Sequence, residues 1–140
     1  MEHQEISLKN KIEELETITS FLDQLAEAWL LPPALLMSIN LALEEAFTNI
    51  VYYAYADQAT HQIELSISKQ GDKLKICLAD DGQPYDPTQA KAPDIKLSTE
   101  DRPIGGLGIF LIRKIMDNVH YQRDNGYNLL CMEKQISTPN

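Results

Sequence analysis

The chain has 140 residues, 44% hydrophobic and 24% charged, with a formal net charge of -9 and a pI near 4.7. That length suits one domain around a single core. A general grip on DNA or RNA needs clustered Lys and Arg, so the acidic balance argues against direct nucleic-acid binding.

The opening Met-Glu-His-Gln-Glu is too polar for a signal peptide, and no apolar run approaches the ~20 residues of a membrane span. A cytoplasmic protein without membrane contact is the expectation. Ile6 and Leu8 alternate with polar neighbours and predict a short first strand. After Asn10, the positions Ile12, Leu15, Ile18, Phe21, Leu22, Leu25, Ala26 and Trp29 repeat at the spacing of one helix face. Pro32-Pro33 stops that helix and opens the next, because proline is tolerated in a first helical turn.

The second helix is predicted from Pro33 to about Ala56. Leu36, Ile39, Leu43, Ala46, Phe47, Ile50, Val51 and Ala54 form its core stripe, flanked by Glu44, Glu45, Thr48, Asn49 and Tyr52. Alternating strands follow around 61–69 and 73–80, with Gln70-Gly71-Asp72 as the hairpin turn. From Asp81 to Pro103 periodicity is lost among four prolines, a length of loop that is usually functional. Gly105-Gly106-Leu107-Gly108 then leads into an apolar helix through Met116. Strands near 118–123 and 127–134, joined by Asp124-Asn125-Gly126, close the domain before a frayed tail from about 137. Cys77 and Cys131 each sit alone in an apolar run, without CxxC spacing, and read as buried free thiols. His3, His61 and His120 have no ligand spacing and imply no zinc site. Trp29 and the tyrosines at 52, 53 and 55 read as packing residues.

The order β-α-α-β-β-loop-α-β-β predicts an α+β fold. It is a two-layer α/β sandwich whose mixed, mainly antiparallel sheet is covered on one face by three helices.

Three polar constellations interrupt this scheme. Glu45 and Asn49 are four apart and share a helix face. There a carboxylate can take a proton from a hydroxyl, and an amide oxygen can ligate magnesium. The same pair reads as the polar edge of an amphipathic helix, and Glu44 offers a second carboxylate beside it. Asp80-Asp81-Gly82 ends a strand. Asp80 can accept from an exocyclic amine such as that of adenine, and Gly82 would let a planar ring approach the backbone; an ordinary turn has the same composition. Gly105, Gly106 and Gly108 precede a helix, whose bare amides and positive N-terminus suit phosphate, or form a hinge. The spacing is neither a Walker A motif nor a dinucleotide fingerprint.

Taken in order, these segments resemble the boxes of the GHKL ATPase superfamily. Leu43-Glu44-Glu45-Ala46-Phe47-Thr48-Asn49-Ile50-Val51-Tyr52-Tyr53-Ala54-Tyr55 is similar to its N box. Ala79-Asp80-Asp81-Gly82 through Pro87 resembles its first glycine box, and Gly105-Gly106-Leu107-Gly108-Ile109-Phe110-Leu111-Ile112 the second. With Met116-Asp117-Asn118-Val119 following, the chain resembles the small bacterial anti-sigma-factor serine kinases over roughly residues 5 to 135.

The resemblance implies a single ATP-binding domain of the Bergerat fold across 1–140, with a lid at about 87–104. It implies ATP and Mg2+ as cofactors, Asn49 as magnesium ligand and Glu45 as general base. Asp80 would bind the adenine amine above Gly82, and Gly105, Gly106, Leu107 and Gly108 would line the phosphates. It further implies a serine acceptor on an antagonist (anti-anti-sigma) protein, a sequestered sigma factor and a homodimer. The alternatives are an ATP-gated binding module without catalysis, or a histidine-kinase-like domain acting in trans. Two positions depart from the family pattern: Tyr53 stands where many relatives have histidine, and Gly126-Tyr127-Asn128 where threonine often follows glycine. The lid residues Lys91, Lys96, Ser98, Thr99 and Arg102 are fixed by no motif.

Overall fold

A computed structural model describes residues 2–89 and 106–136 of the chain. Gly105, most of the expected lid with Lys91, Lys96, Ser98, Thr99 and Arg102, and the tail from Ser137 lie outside the described residues.

Five strands form one sheet: β1 (Glu2–Lys9), β2 (Gln62–Gln70), β3 (Lys73–Asp80), β4 (Asn118–Asp124) and β5 (Tyr127–Gln135). Their order is β1-β2-β3-β5-β4, and every neighbouring pair is antiparallel. The mainly antiparallel sheet expected from sequence is thus antiparallel throughout. Two tight turns set the hairpin registers. Gly71 (φ 59°) turns β2 into β3, and Asn125-Gly126 (φ 51° and 83°) turns β4 into β5, the backbone that two-residue hairpins favour.

Period-two alternation sends Leu8, Ile63, Leu65, Ile67, Leu74, Ile76, Leu78, Leu130 and Met132 to one face, where all are buried. Three helices cover that face: α1 (Leu15–Ala28), α2 (Pro33–Tyr53) and α3 (Gly106–Ile115). A 3-10 turn, Ile12–Glu14, occupies what sequence periodicity reads as the start of α1. α1 ends before the prolines. Leu30 adopts φ 56°, and Leu31 donates its N–H to Ala26 O at 2.9 Å, closing the last turn with a left-handed residue. Pro33 then sits in the first turn of α2.

α2 has the length and hydropathy of a membrane span, contrary to the expectation that no segment would. Part of its hydropathy belongs to the core, where Leu35, Ile39, Ala42, Leu43, Ala46 and Phe47 are buried between sheet and helices, while Met37 and Leu41 are exposed.

Cys77 and Cys131, expected as free thiols, are bonded to each other in this structure. They are direct cross-strand partners in the β3–β5 register and form a disulfide, with Cα atoms 4.1 Å apart. They lie 54 residues apart in sequence, so no local spacing announces the pairing. Both belong to the alternate set of positions, on the sheet face away from the helices.

Candidate functional site

The site lies where the C-terminal half of α2 meets the start of α3 and the ends of β3 and β5. Glu45 and Asn49 are both half-buried, one turn apart on α2. α3 packs so close that a Cβ at Gly108 would stand 3.1 Å from Glu45 Oε2 and 3.4 Å from Asn49 Nδ2. Neither side chain forms a hydrogen bond to another described residue. Glu44 is directed elsewhere. It accepts from Asn40 Nδ2 at 3.3 Å and lines a depression with Leu15 and Thr19 of α1. Of the two adjacent carboxylates, only Glu45 faces the first turn of α3.

Asp80 closes β3 and is 3% exposed. Its Oδ1 accepts from Gly82 N at 3.0 Å and from Asn128 Nδ2 at 2.9 Å. Burial is the largest influence on its carboxyl and pushes the pKa above the usual range, against the opposing pull of those two donors. Asn128 stands opposite Asp80 in the β3–β5 register and is itself buried.

Gly82 has a different structural reason from the one expected. A Cβ there would lie 2.4 Å from Ala54 O and 2.6 Å from Ala54 Cβ. The missing side chain makes room for the end of α2, so the glycine is required by packing independently of any ring. Ala54 O also accepts from Gln83 N at 2.8 Å, and Gln83 Nε2 donates to Tyr53 O at 2.8 Å. From the far side, Arg123 Nη1 donates to Gly82 O at 2.8 Å. The turn after Asp80 is thereby held by α2 and β4 together. Outside it, Tyr55 donates to Asp81 Oδ1 at 3.0 Å and stacks on His61, with ring centroids 4.1 Å apart. Burial first, and then the bond to Asp81, raises the Tyr55 pKa. Tyr53 gives its backbone carbonyl to the turn.

A predominantly apolar pocket joins the two ends of the site. Ala46, Ile50, Ala54, Pro87, Ile112 and Leu130 supply its walls, while Asn49, Asp80, Tyr85, Tyr121 and Asn128 place polar atoms on them. At one end is a buried carboxylate. At the other, the N-terminal turn of a ten-residue helix faces a carboxamide and a carboxylate. That arrangement suits a flat heterocycle bearing an amine, followed by an anionic group. The donor set also fits magnesium. A hard cation that is bound partly by phosphates needs only one or two protein oxygens. Asn49 offers an amide oxygen and Glu45 a carboxylate beside it, and neither is engaged by another described residue. Among the described residues, no cluster of three His, Cys, Asp or Glu side chains competes for it.

The structure brings Glu45, Asn49 and Gly108 together, with Asp80 across the pocket that Asn49 also lines and Gly82 in the turn that follows Asp80. Gly106 and Leu107 form the first turn of α3, the Leu107 side chain lying outside what the structure describes, and Gly105 lies outside it altogether. Tyr85, Tyr121 and Arg123 were missed. Tyr121 and Arg123 alternate along β4, an edge strand whose sequence resembles any exposed strand. Only the register of the sheet brings them to Asp80.

Residues 8–134 match the family model described as "Histidine kinase-like ATPase domain". The chain belongs to that family. Its curated relatives are named as protein kinases. It is 35% identical over 95 residues to the serine/threonine-protein kinase BtrW of Bordetella bronchiseptica, covering 68% of this chain and 67% of that one. It is 34% identical over 102 residues to the serine-protein kinase RsbW of Bacillus cereus, covering 70% of this chain and 62% of RsbW. The chain therefore spans somewhat less than two thirds of the RsbW length. Among solved structures, the RsbU and RsbW domains of Rv1364c from Mycobacterium tuberculosis align with 99% of this chain and 34% of that one. The TM-score is 0.71 at 16% identity, a likeness of fold. The α+β sandwich read from the sequence is the fold of this family.

Proposed function

We propose that the chain is an ATP-dependent serine protein kinase working by partner switching in the cytoplasm. In this reading it phosphorylates a serine on an antagonist protein of the anti-anti-sigma type and sequesters a sigma factor, as a homodimer. The observation that carries the reading is the packing of Gly108 against both Glu45 and Asn49. It sets a carboxylate, a carboxamide and a helix N-terminus near one end of a pocket whose other end is the buried Asp80, which supports Glu45 as general base and Asn49 as metal ligand. The kinase names of the curated relatives support the choice of reaction.

ATP would place its adenine amine against Asp80 and its phosphates toward α3. The net charge of -9 and the nearby Glu45 repel a bare triphosphate, so charge neutralisation is essential. Magnesium, held by Asn49, would supply that neutralisation. The α3 amides add partial positive charge at the same end. Glu45 would accept the proton of the serine hydroxyl as oxygen attacks the γ-phosphorus, with ADP as leaving group. The apolar walls would pack on the adenine ring, leaving the γ-phosphoryl group toward the protein acceptor. In a reducing cytoplasm, Cys77 and Cys131 would stand as a dithiol.

The test is incubation of the full chain with γ-labelled ATP, magnesium and a small antagonist domain of the anti-anti-sigma type. Label is expected on a serine of that domain. Saturable ATP binding with no phosphoserine would instead identify a nucleotide-gated binding module.

A further inference from the structure

Asn128 occupies the centre of a hydrogen-bond relay that leaves none of its own amide for a ligand. Its Nδ2 donates to Asp80 Oδ1 and to Gln83 O, both at 2.9 Å. Its Oδ1 accepts from Tyr121 Oη at 2.5 Å and from Tyr85 N at 3.4 Å. Two of these partners have only one sense. A backbone carbonyl can only accept and a backbone N–H can only donate, so the amide cannot be turned over. Tyr121 must then give its proton to Asn128, and its hydroxyl can only accept from anything in the pocket that it lines. Asp80 receives two donors on Oδ1, from Asn128 and Gly82. Its Oδ2 has no hydrogen-bond partner among the described residues, although the residue is 3% exposed and lines the pocket.

The geometry points to Asn128 as a positioning residue that, with Tyr121, fixes the base end of the pocket as acceptor-only and selects a 6-amino purine over a 6-oxo purine. The inference rests on the ATP-site reading and adds to it the device that sets base specificity. A purine 6-amine offers hydrogens to Asp80 Oδ2 and Tyr121 Oη. A 6-oxo group would set oxygen against oxygen. Removing the Asn128 donor leaves Oδ1 with the Gly82 N–H alone, so the carboxyl and the Tyr121 hydroxyl are no longer held acceptor-only toward the pocket and discrimination falls. Simple loosening of the turn would weaken both nucleotides alike.

The experiment is calorimetric titration of the full chain with ATP and with inosine triphosphate, in magnesium, for wild type, Asn128→Ala and Tyr121→Phe. Wild type is expected to prefer ATP by about 100-fold or more. The ATP-to-inosine ratio should fall about tenfold in Asn128→Ala and about threefold in Tyr121→Phe, on the scale of one lost hydrogen bond. If Asn128→Ala does not fold, Tyr121→Phe decides the question, since it leaves both Gln83 O and Asp80 their donors. An unchanged ratio in the folded variants, or a wild type that binds both nucleotides equally, overturns this role for Asn128 while the ATP site stands. A wild type with no saturable ATP binding overturns both.

Discussion

Replacing Asp80 by asparagine separates binding from stability. In the wild type, Oδ1 is held by Gly82 N and Asn128 Nδ2. Those two donors require an oxygen at that position, so the carboxamide of the Asp80→Asn variant would turn its NH2 toward the pocket. The adenine amine then meets a donor instead of a carboxylate oxygen. A hydrogen bond to a charged group contributes about 1.5–3 kcal/mol, so the Kd for ATP should rise about 10- to 150-fold. Stability should move the other way. The folded-state pKa of Asp80 is raised above its ordinary 3.8, chiefly by burial. The native state therefore holds the proton to higher pH than the unfolded chain does. The associated stability is present below 3.8 and is lost as pH rises through the folded pKa. Asp80→Asn never ionises and escapes that loss. Thermal melts of the nucleotide-free chains at pH 7 should show the variant at least as stable as wild type, while calorimetry shows ATP binding weakened. A variant that binds ATP normally would refute the role of Asp80. One that melts well below wild type would refute the electrostatic reasoning.

Glu45→Gln should lower phosphotransfer by about 100- to 10,000-fold, the usual range for a general base, with less than about threefold change in ATP affinity. Asn49→Ala should weaken ATP binding in magnesium more than in EDTA, measured by paired titrations. Gly82→Ala forces a methyl group into Ala54 O and should cost about 1–3 kcal/mol, read as a Tm fall of roughly 3–10 °C. The Cys77–Cys131 bridge closes a loop of 54 residues, worth about 4 kcal/mol by chain entropy. Thiol titration of the air-oxidised chain in denaturant should find no free thiols before reduction and both after it. Chemical denaturation should show the reduced form less stable.

What was legible in the sequence follows the range of the interactions. The α2 stripe, the two hairpin turns and the strand alternation are local, and these form where period and turn residues place them, although α2 ends at Tyr53 and not near Ala56. Glu45 and Asn49 could be read as a pair because a helix puts residues four apart on one face. Their proximity to Gly108, 59 positions beyond Asn49, required the resemblance to other chains or the structure itself. The choice of Glu45 over Glu44 depends on which side of α2 faces α3, and helical spacing alone leaves that open. The packing reason for Gly82 lies in Ala54, and nothing local reveals that α2 ends against it. The disulfide and the Asn128 relay depend on the β3–β5 and β4–β5 registers. No local pattern in either strand encodes them.

The ATP site itself is tested most directly by calorimetric titration of the wild-type chain with ATP in magnesium, beside Asp80→Asn under the same conditions. One saturable site per chain in wild type, with affinity reduced at least about tenfold in the variant, is the predicted result. Wild type without saturable binding, or a variant of equal affinity, would contradict the assignment of this pocket to ATP.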